Sequence, residues 1–215
     1  MTNMPPSDAN LDLDLLTQMH AGDQKALSVL YARHQAPLYR FAMLRSGSTH
    51  IAADVVQDIF VALIEDKLVF DPARGALSGF LFGVARNFIL KREQAARRFL
   101  PIQYNSDDSD DAIEIDFVDS NPSPLEKILA DDRAEAVRRA LSKIPPHYRD
   151  VLILYEMQDL SYLEIAHICN VDIGTVRSRL SRGRGKLLAL LNRSEAINSD
   201  QQTQRSSREA SHEHE

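Results

Sequence analysis

Apolar residues along this chain recur at intervals of three and four, and no useful run alternates with period two, so the pattern predicts an all-α fold. In the first half it predicts helices over about 12–20, 23–45, 49–66 and 76–98. The break before the last of these, Phe70-Asp71-Pro72-Ala73-Arg74-Gly75, opens on a turn-forming Asp-Pro and stops on Gly. In the second half Pro124 suits the first turn of a helix whose buried side is Leu125, Ile128, Leu129, Val137, Leu141 and Ile144. Pro145-Pro146 ends it, and Val151, Leu152, Leu154 and Tyr155 mark a second short helix.

The region from Gln103 to Pro124 has seven acids, no bases, several serines and two prolines, the composition of a linker. Ile113, Ile115, Phe117 and Val118 leave room for one short extended contact within it. The tail is polar and lacks an apolar stripe, so it is expected to be disordered. These boundaries divide the chain into a helical domain over 1–100, a linker over 101–124, a second helical domain over 125–194 and a tail over 195–215.

Leu160 to Leu191 carries the most information. Ser161 stands three residues before Glu164, a capping box. Ile165, Ala166, Ile168 and Cys169 give the helix that follows an inner side. Asn170 then suits a left-handed stop, and Asp172 an N-cap for the next helix. A short turn between a C-cap and an N-cap is helix-turn-helix grammar. In the second helix, Ile173, Val176, Leu180, Leu187 and Leu191 form a stripe on one side. At about 100° per residue, Thr175, Ser178, Arg179, Arg182 and Lys186 fall opposite it. No acid interrupts the stretch between Asp172 and Glu195. A solvated face usually mixes charge signs, so this one reads as a DNA-recognition surface. Arginine reads guanine edges bidentately, whereas Lys and Ser mostly hold phosphates. Gly183 and Gly185 inside this helix mark a close approach to a neighbour or to phosphate, or a frayed segment.

Charge bears this out once it is divided by segment. The 215 residues carry a net −6, an average that argues against nucleic acid. Residues 1–100 are at +1, 101–132 at −9, 133–194 at +5 and 195–215 at −3. Arg86 to Arg98 alone sets five bases against Glu93. Phosphate binding answers to the field within about 8–10 Å, so the local sign matters more than the total.

Other classes fall away. A single cysteine, Cys169, excludes a disulfide framework and a Cys-based zinc finger, and it reads as a small core residue. No apolar run nears the roughly 20 residues of a membrane span, and Met1 to Leu16 does not read as a secretory signal. A cytoplasmic protein without membrane insertion is expected. His212 and His214 flank Glu213 without further ligands at metal spacing, and His147 and His167 read as surface or turn residues. No nucleophile elbow, phosphate loop or paired-carboxylate constellation is present, so no enzyme, metal or cofactor is expected.

In the first half, Asp54, Gln57 and Asp58 share one helical face, while Val56, Phe60 and Leu63 point elsewhere. Phe80-Leu81-Phe82-Gly83-Val84-Ala85-Arg86-Asn87-Phe88 is an apolar helix that turns basic at Arg86. Together with Ala36-Pro37-Leu38-Tyr39-Arg40-Phe41-Ala42, Leu141 to Val151, Leu160 to Ala166 and Gly174 to Leu180, these stretches resemble a bacterial extracytoplasmic-function (ECF) sigma factor from Gly22 to Leu191. The chain departs from the family's pattern at Phe80, where Trp is frequent, and at Lys91, where Asp is common.

The resemblance implies two helical domains on a flexible linker, working with core RNA polymerase and promoter DNA and restrained by an anti-sigma factor. The first domain would dock on polymerase through Asp54, Gln57 and Asp58. Its last helix and the preceding loop would open the −10 element, with Arg86, Asn87, Lys91, Arg97 and Arg98 toward DNA. The second domain would read the −35 element through Thr175, Arg177, Ser178, Arg179, Arg182 and Lys186. The acidic linker would then thread a basic polymerase channel or act as a solvated spacer. The rival readings are a helix-turn-helix regulator that binds operators independently of polymerase and a sigma-like adaptor with protein partners only.

Overall fold

The computed structural model describes the backbone of residues 8–98 and 132–212 and the side chains of residues 10–96 and 134–193. Among the described residues all regular structure is helical, in eight α-helices and one 3-10 turn. The expected linker, Pro124, Leu125, Ile128 and Leu129 lie outside them.

The first unit is built from α1 (Asp8–His20), α2 (Gln24–Ser46), α3 (Thr49–Ile64) and α4 (Leu77–Arg98). Asp23 caps α2 by accepting from Lys25 N, and Ser48 caps α3 by accepting from Ile51 N. Between them Gly47, at φ 72°, takes the left-handed turn that ends α2. The 3-10 turn Pro72–Arg74 starts on an Asp71 cap and stops at Gly75, whose φ of 132° a side chain would strain. Leu30, Leu38, Phe41, Ile59, Leu63, Leu81 and Ile89 fill the bundle, with Phe41 and Phe82 edge to face at 5.6 Å. Polar contacts fasten α1 to α2. Buried Asp12 accepts from Arg33 Nε at 2.9 Å, and His34 Nε2 lies 3.0 Å from its other oxygen.

The second unit comprises α5 (Asp132–Ser142), α6 (Pro146–Glu156), α7 (Tyr162–Cys169) and α8 (Ile173–His212). Seven consecutive residues of α6, Tyr148 to Leu154, are buried. A helix buried all round has neighbours on every side. It packs on α7 and α8 within its own unit and on α2 of the first, while α5 also meets α2 and α7 meets α4. One apolar core runs through both units.

Three expectations are corrected. Helix α8 continues to His212, where the sequence reading leaves a disordered tail. No Gly or Pro follows Gly185 in this stretch, so nothing breaks a helix already started by packing. Ile173, assigned to the inner stripe, is 38% exposed because it sits in the first turn, ahead of the packed segment. The third helix ends at Ile64 rather than 66, since Asp66 turns left-handed at φ 56°.

Candidate nucleic-acid interface

The helix-turn-helix is built from local chemistry. Ser161 Oγ accepts from Glu164 N at 3.3 Å, and the Glu164 carboxylate returns the bond to Ser161 N at 2.8 Å. Asn170, at φ 54° and ψ 54°, ends α7 in the left-handed region. Asp172 precedes α8, and its carbonyl accepts from Val176 N at 3.1 Å. Val176 and Leu180 seat α8 in the core, with Ile165, Ala166 and Cys169 buried on α7. Burial pushes the Cys169 thiol up to about 11, as befits an unreactive core residue.

Gly183 is where α8 meets α6. A Cβ there would come within 3.1 Å of Leu152 Cγ and Cδ1 and 3.4 Å of Tyr148 Cβ, while one on Gly185 would meet nothing within 4 Å. The close approach at Gly183 is therefore to a neighbouring helix.

Seen from that seam, the basic side chains of α8 separate into two flanks. Ser178 and Arg182 are exposed, and Thr175 and Arg179 are half-buried beside them. Lys186 lies at the edge of this group, its Nζ 5.7 Å from the centre of the Tyr148 ring. Arg177 lies on the other flank, over the Tyr162 ring at 5.8 Å. Arg184 keeps it company there, over Tyr155 at 5.2 Å and paired with Glu156 at 2.6 Å. The outward group on α8 is thus Thr175, Ser178, Arg179 and Arg182, with Lys186 beside it.

Asp54, Gln57 and Asp58 of the first unit lie on the outer side of α3, while Val56, Phe60 and Leu63 are buried. Asp54 is 3.6 Å from His50, and Asp58 accepts from Arg92 of α4 at 2.6 Å. Val61 and Ile64, 43% and 54% exposed, extend this face by another turn. On α4, Asn87 and Lys91 are exposed, the latter 6.0 Å from the Phe88 ring centre. Arg97 and Arg98 close the helix, and their side chains lie outside the described residues.

Arg86 is differently placed. Its side chain is 16% exposed and donates Nε–H to Asp150 Oδ2 at 2.7 Å. The other Asp150 oxygen accepts from Arg45 Nε. Arg45, wholly buried, also binds Glu93 through both terminal nitrogens, at 2.6 and 3.1 Å. Arg149 donates to the carbonyls of Arg45 at 2.8 Å, Ser142 at 2.5 Å and Ile144 at 2.8 Å. Burial lowers the Arg149 guanidinium to about 10, and Arg45 adds its repulsion. Burial works against the Arg45 charge too, but Asp150 and Glu93 outweigh it and hold the group above its ordinary value. Sequence reasoning missed this cluster. Its one signal was Arg149-Asp150 set directly before four aliphatic residues, Val151 to Leu154.

A cleft of about 300 Å³ lies alongside. Phe70 and Phe80, ring centres 5.5 Å apart, line one wall with Asp71, Arg74 and Asn87. Glu164, His167 and Ile168 of α7 line the other. Among the described residues, no group of three His, Cys, Asp or Glu side chains could hold a metal ion, and no helix is long and apolar enough to cross a membrane.

The chain matches two family models in sequence order. Residues 30–100 match Sigma-70 region 2, and residues 134–187 match Sigma-70, region 4. The RNA polymerase sigma factor CnrH of Cupriavidus metallidurans is 32% identical, over 87% of this chain and 97% of that protein. The ECF RNA polymerase sigma factor SigE of Mycolicibacterium smegmatis is also 32% identical, over 77% of this chain. The chain belongs to the ECF sigma factor family. It spans 63% of the length of that SigE relative. The sigma factor's backbone also matches a solved structure, the sigma factor RpoE in complex with the anti-sigma factor NepR from Bartonella quintana. The TM-score is 0.63 at 26% identity, covering 78% of this chain and 98% of that one. The region 2 match falls on the first unit, and the region 4 match ends at Leu187, within α8, taking in both flanks of its first half.

Proposed function

We propose that this sigma factor binds core RNA polymerase in the cytoplasm and directs it to promoters, reading the −35 element with α8 and opening the −10 element with α4 and the turn before it. The observation that carries the reading is the outward group Thr175, Ser178, Arg179 and Arg182 on a capped helix-turn-helix, in a helix segment without a single acid as far as Glu195. Such a surface suits the major groove, with arginines on base edges and Ser, Thr and Lys on phosphates.

Asp54 and Asp58 supply the charged part of the polymerase-docking face, Gln57 a neutral polar part, and Val61 and Ile64 the apolar part. Lys91, Arg97 and Arg98 attract the −10 strand, and the cleft beside Phe80 and Asn87 offers an aromatic wall against which an unstacked base can rest. An anti-sigma factor is the proposed restraining partner, in line with the complex in which the Bartonella relative was solved.

Gel-shift and run-off assays with purified polymerase test the reading. The chain alone should bind promoter duplex weakly, and adding core should give specific binding and new transcripts. A polymerase-independent regulator would instead bind an operator tightly as a dimer without core.

A further inference from the structure

The cleft between α7 and the turn before α4 has the makings of a small-molecule pocket. Phe70 and Phe80 are half-buried on one wall, their ring centres 5.5 Å apart and their planes tilted by 51°. Two rings at that angle give a flat ligand one face to stack on and a second that closes on its edge. Val69, 84% exposed, continues the apolar wall. At about 300 Å³, and set where two units meet, the cleft is at the lower end of the size that holds a small molecule.

The sequence keeps this space open. Gly79 and Gly83 line the cleft one turn apart on α4, and a Cβ on either would meet nothing within 4 Å. Neither has a positive φ. Alanine makes a better helix than glycine, so neither the packing nor the backbone explains the choice at these positions.

The polar groups of the lining have spare capacity. Among the described residues, the side chains of Arg74, Asn87 and His167 have no hydrogen-bond or ion-pair partner. Asp71 Oδ1 accepts from Ala73 N, and Glu164 Oε2 from Ser161 N, which leaves the second oxygen of each carboxylate for a donor. Two carboxylates disfavour a simple anion, and the aromatic wall with polar margins disfavours an aliphatic ligand. A nucleobase fits both features, because its face stacks and its edge carries donors and acceptors. The free guanidinium of Arg74 then suits a phosphate on the same ligand.

We propose that the cleft is a purine-nucleotide site, with the base against Phe70 and Phe80, its edge toward Asn87 and Glu164, and its phosphate toward Arg74. A nucleotide bound to the folded chain alone stabilises it. The same wall is proposed above for the unstacked −10 base, so a bound nucleotide excludes that base. This consequence rests on the sigma-factor reading, whereas the site itself does not.

Calorimetric titration of the full chain with AMP and with GMP tests the site. At least one of them should bind in a one-to-one ratio with a Kd under about 1 mM and raise the thermal midpoint. Ribose 5-phosphate, which lacks the base, should do neither at the same concentration. Gly83→Leu fills the open space with a good helix former and should abolish binding while the circular dichroism spectrum stays helical. Arg74→Gln, at an exposed position, should weaken binding about tenfold through the lost contact to phosphate.

No binding by either nucleotide overturns the proposal. So does equal binding of ribose 5-phosphate, which would mean adsorption of phosphate to the basic helices. Binding unchanged in both variants overturns it as well, and if Gly83→Leu unfolds, Arg74→Gln alone decides. A chain that binds the nucleotide by this pattern but does not associate with core polymerase keeps the site and loses the sigma-factor reading.

Discussion

Gly183 brings α8 within reach of Leu152: a Cβ at that glycine would sit 3.1 Å from the Leu152 side chain, which is 2% exposed and has little room to yield. Two residues on, Gly185 has open space. Replacing a helical glycine with alanine gains about 1 kcal/mol where nothing opposes it. Gly185→Ala should therefore raise the thermal midpoint, while Gly183→Ala should leave it unchanged or lower it because of the overpacking. Equal stabilisation by both would contradict the packing of α8 on α6.

The setting of α8 depends on the cap of the helix before it. Ser161→Ala removes the acceptor of Glu164 N and should cost about 1 kcal/mol in urea unfolding, with Ser161→Thr restoring most of it. A neutral Ser161→Ala would mean that the box is not formed in solution.

The two flanks of α8 should separate in function. Arg182→Ala and Arg179→Ala should each weaken −35-dependent transcription by about 1–3 kcal/mol if they contact base edges bidentately. Arg177, resting on Tyr162, should affect it less when changed to Ala. Transcription titrations on promoters with an intact and a scrambled −35 element check this. Equal loss for all three would place Arg177 on the DNA as well.

Stability should fall in mild acid through His34. Burial lowers its imidazole below the usual 6.5, against the pull of Asp12 and with the push of Arg33. The unfolded chain therefore takes up the proton first. Stability should drop as pH falls through 6.5 and level off below the folded value. Urea midpoints between pH 5 and 7.5 should follow this course, and His34→Gln should flatten it.

Much of this was legible in the sequence because the signals are local. The Ser161–Glu164 box, the Asn170 stop and the Asp71-Pro72 turn each concern residues within a few positions of one another, and each forms as expected. The polar face of Asp54, Gln57 and Asp58 follows from helical spacing alone. The contact between the two units was not legible. Arg86 looks like one more base in a basic helix, and its partner lies 64 residues away on α6. The aliphatic run Val151 to Leu154 does hint at it, since one packed side uses only part of such a helix. The tail misled for the opposite reason, because absence of an apolar stripe says little about a helix that continues from a packed segment.

The most direct measurement is run-off transcription with purified core polymerase on a pool of promoters, with and without this chain. The account predicts association with core and new start sites that appear only when the chain is present. Neither association nor new start sites would contradict it.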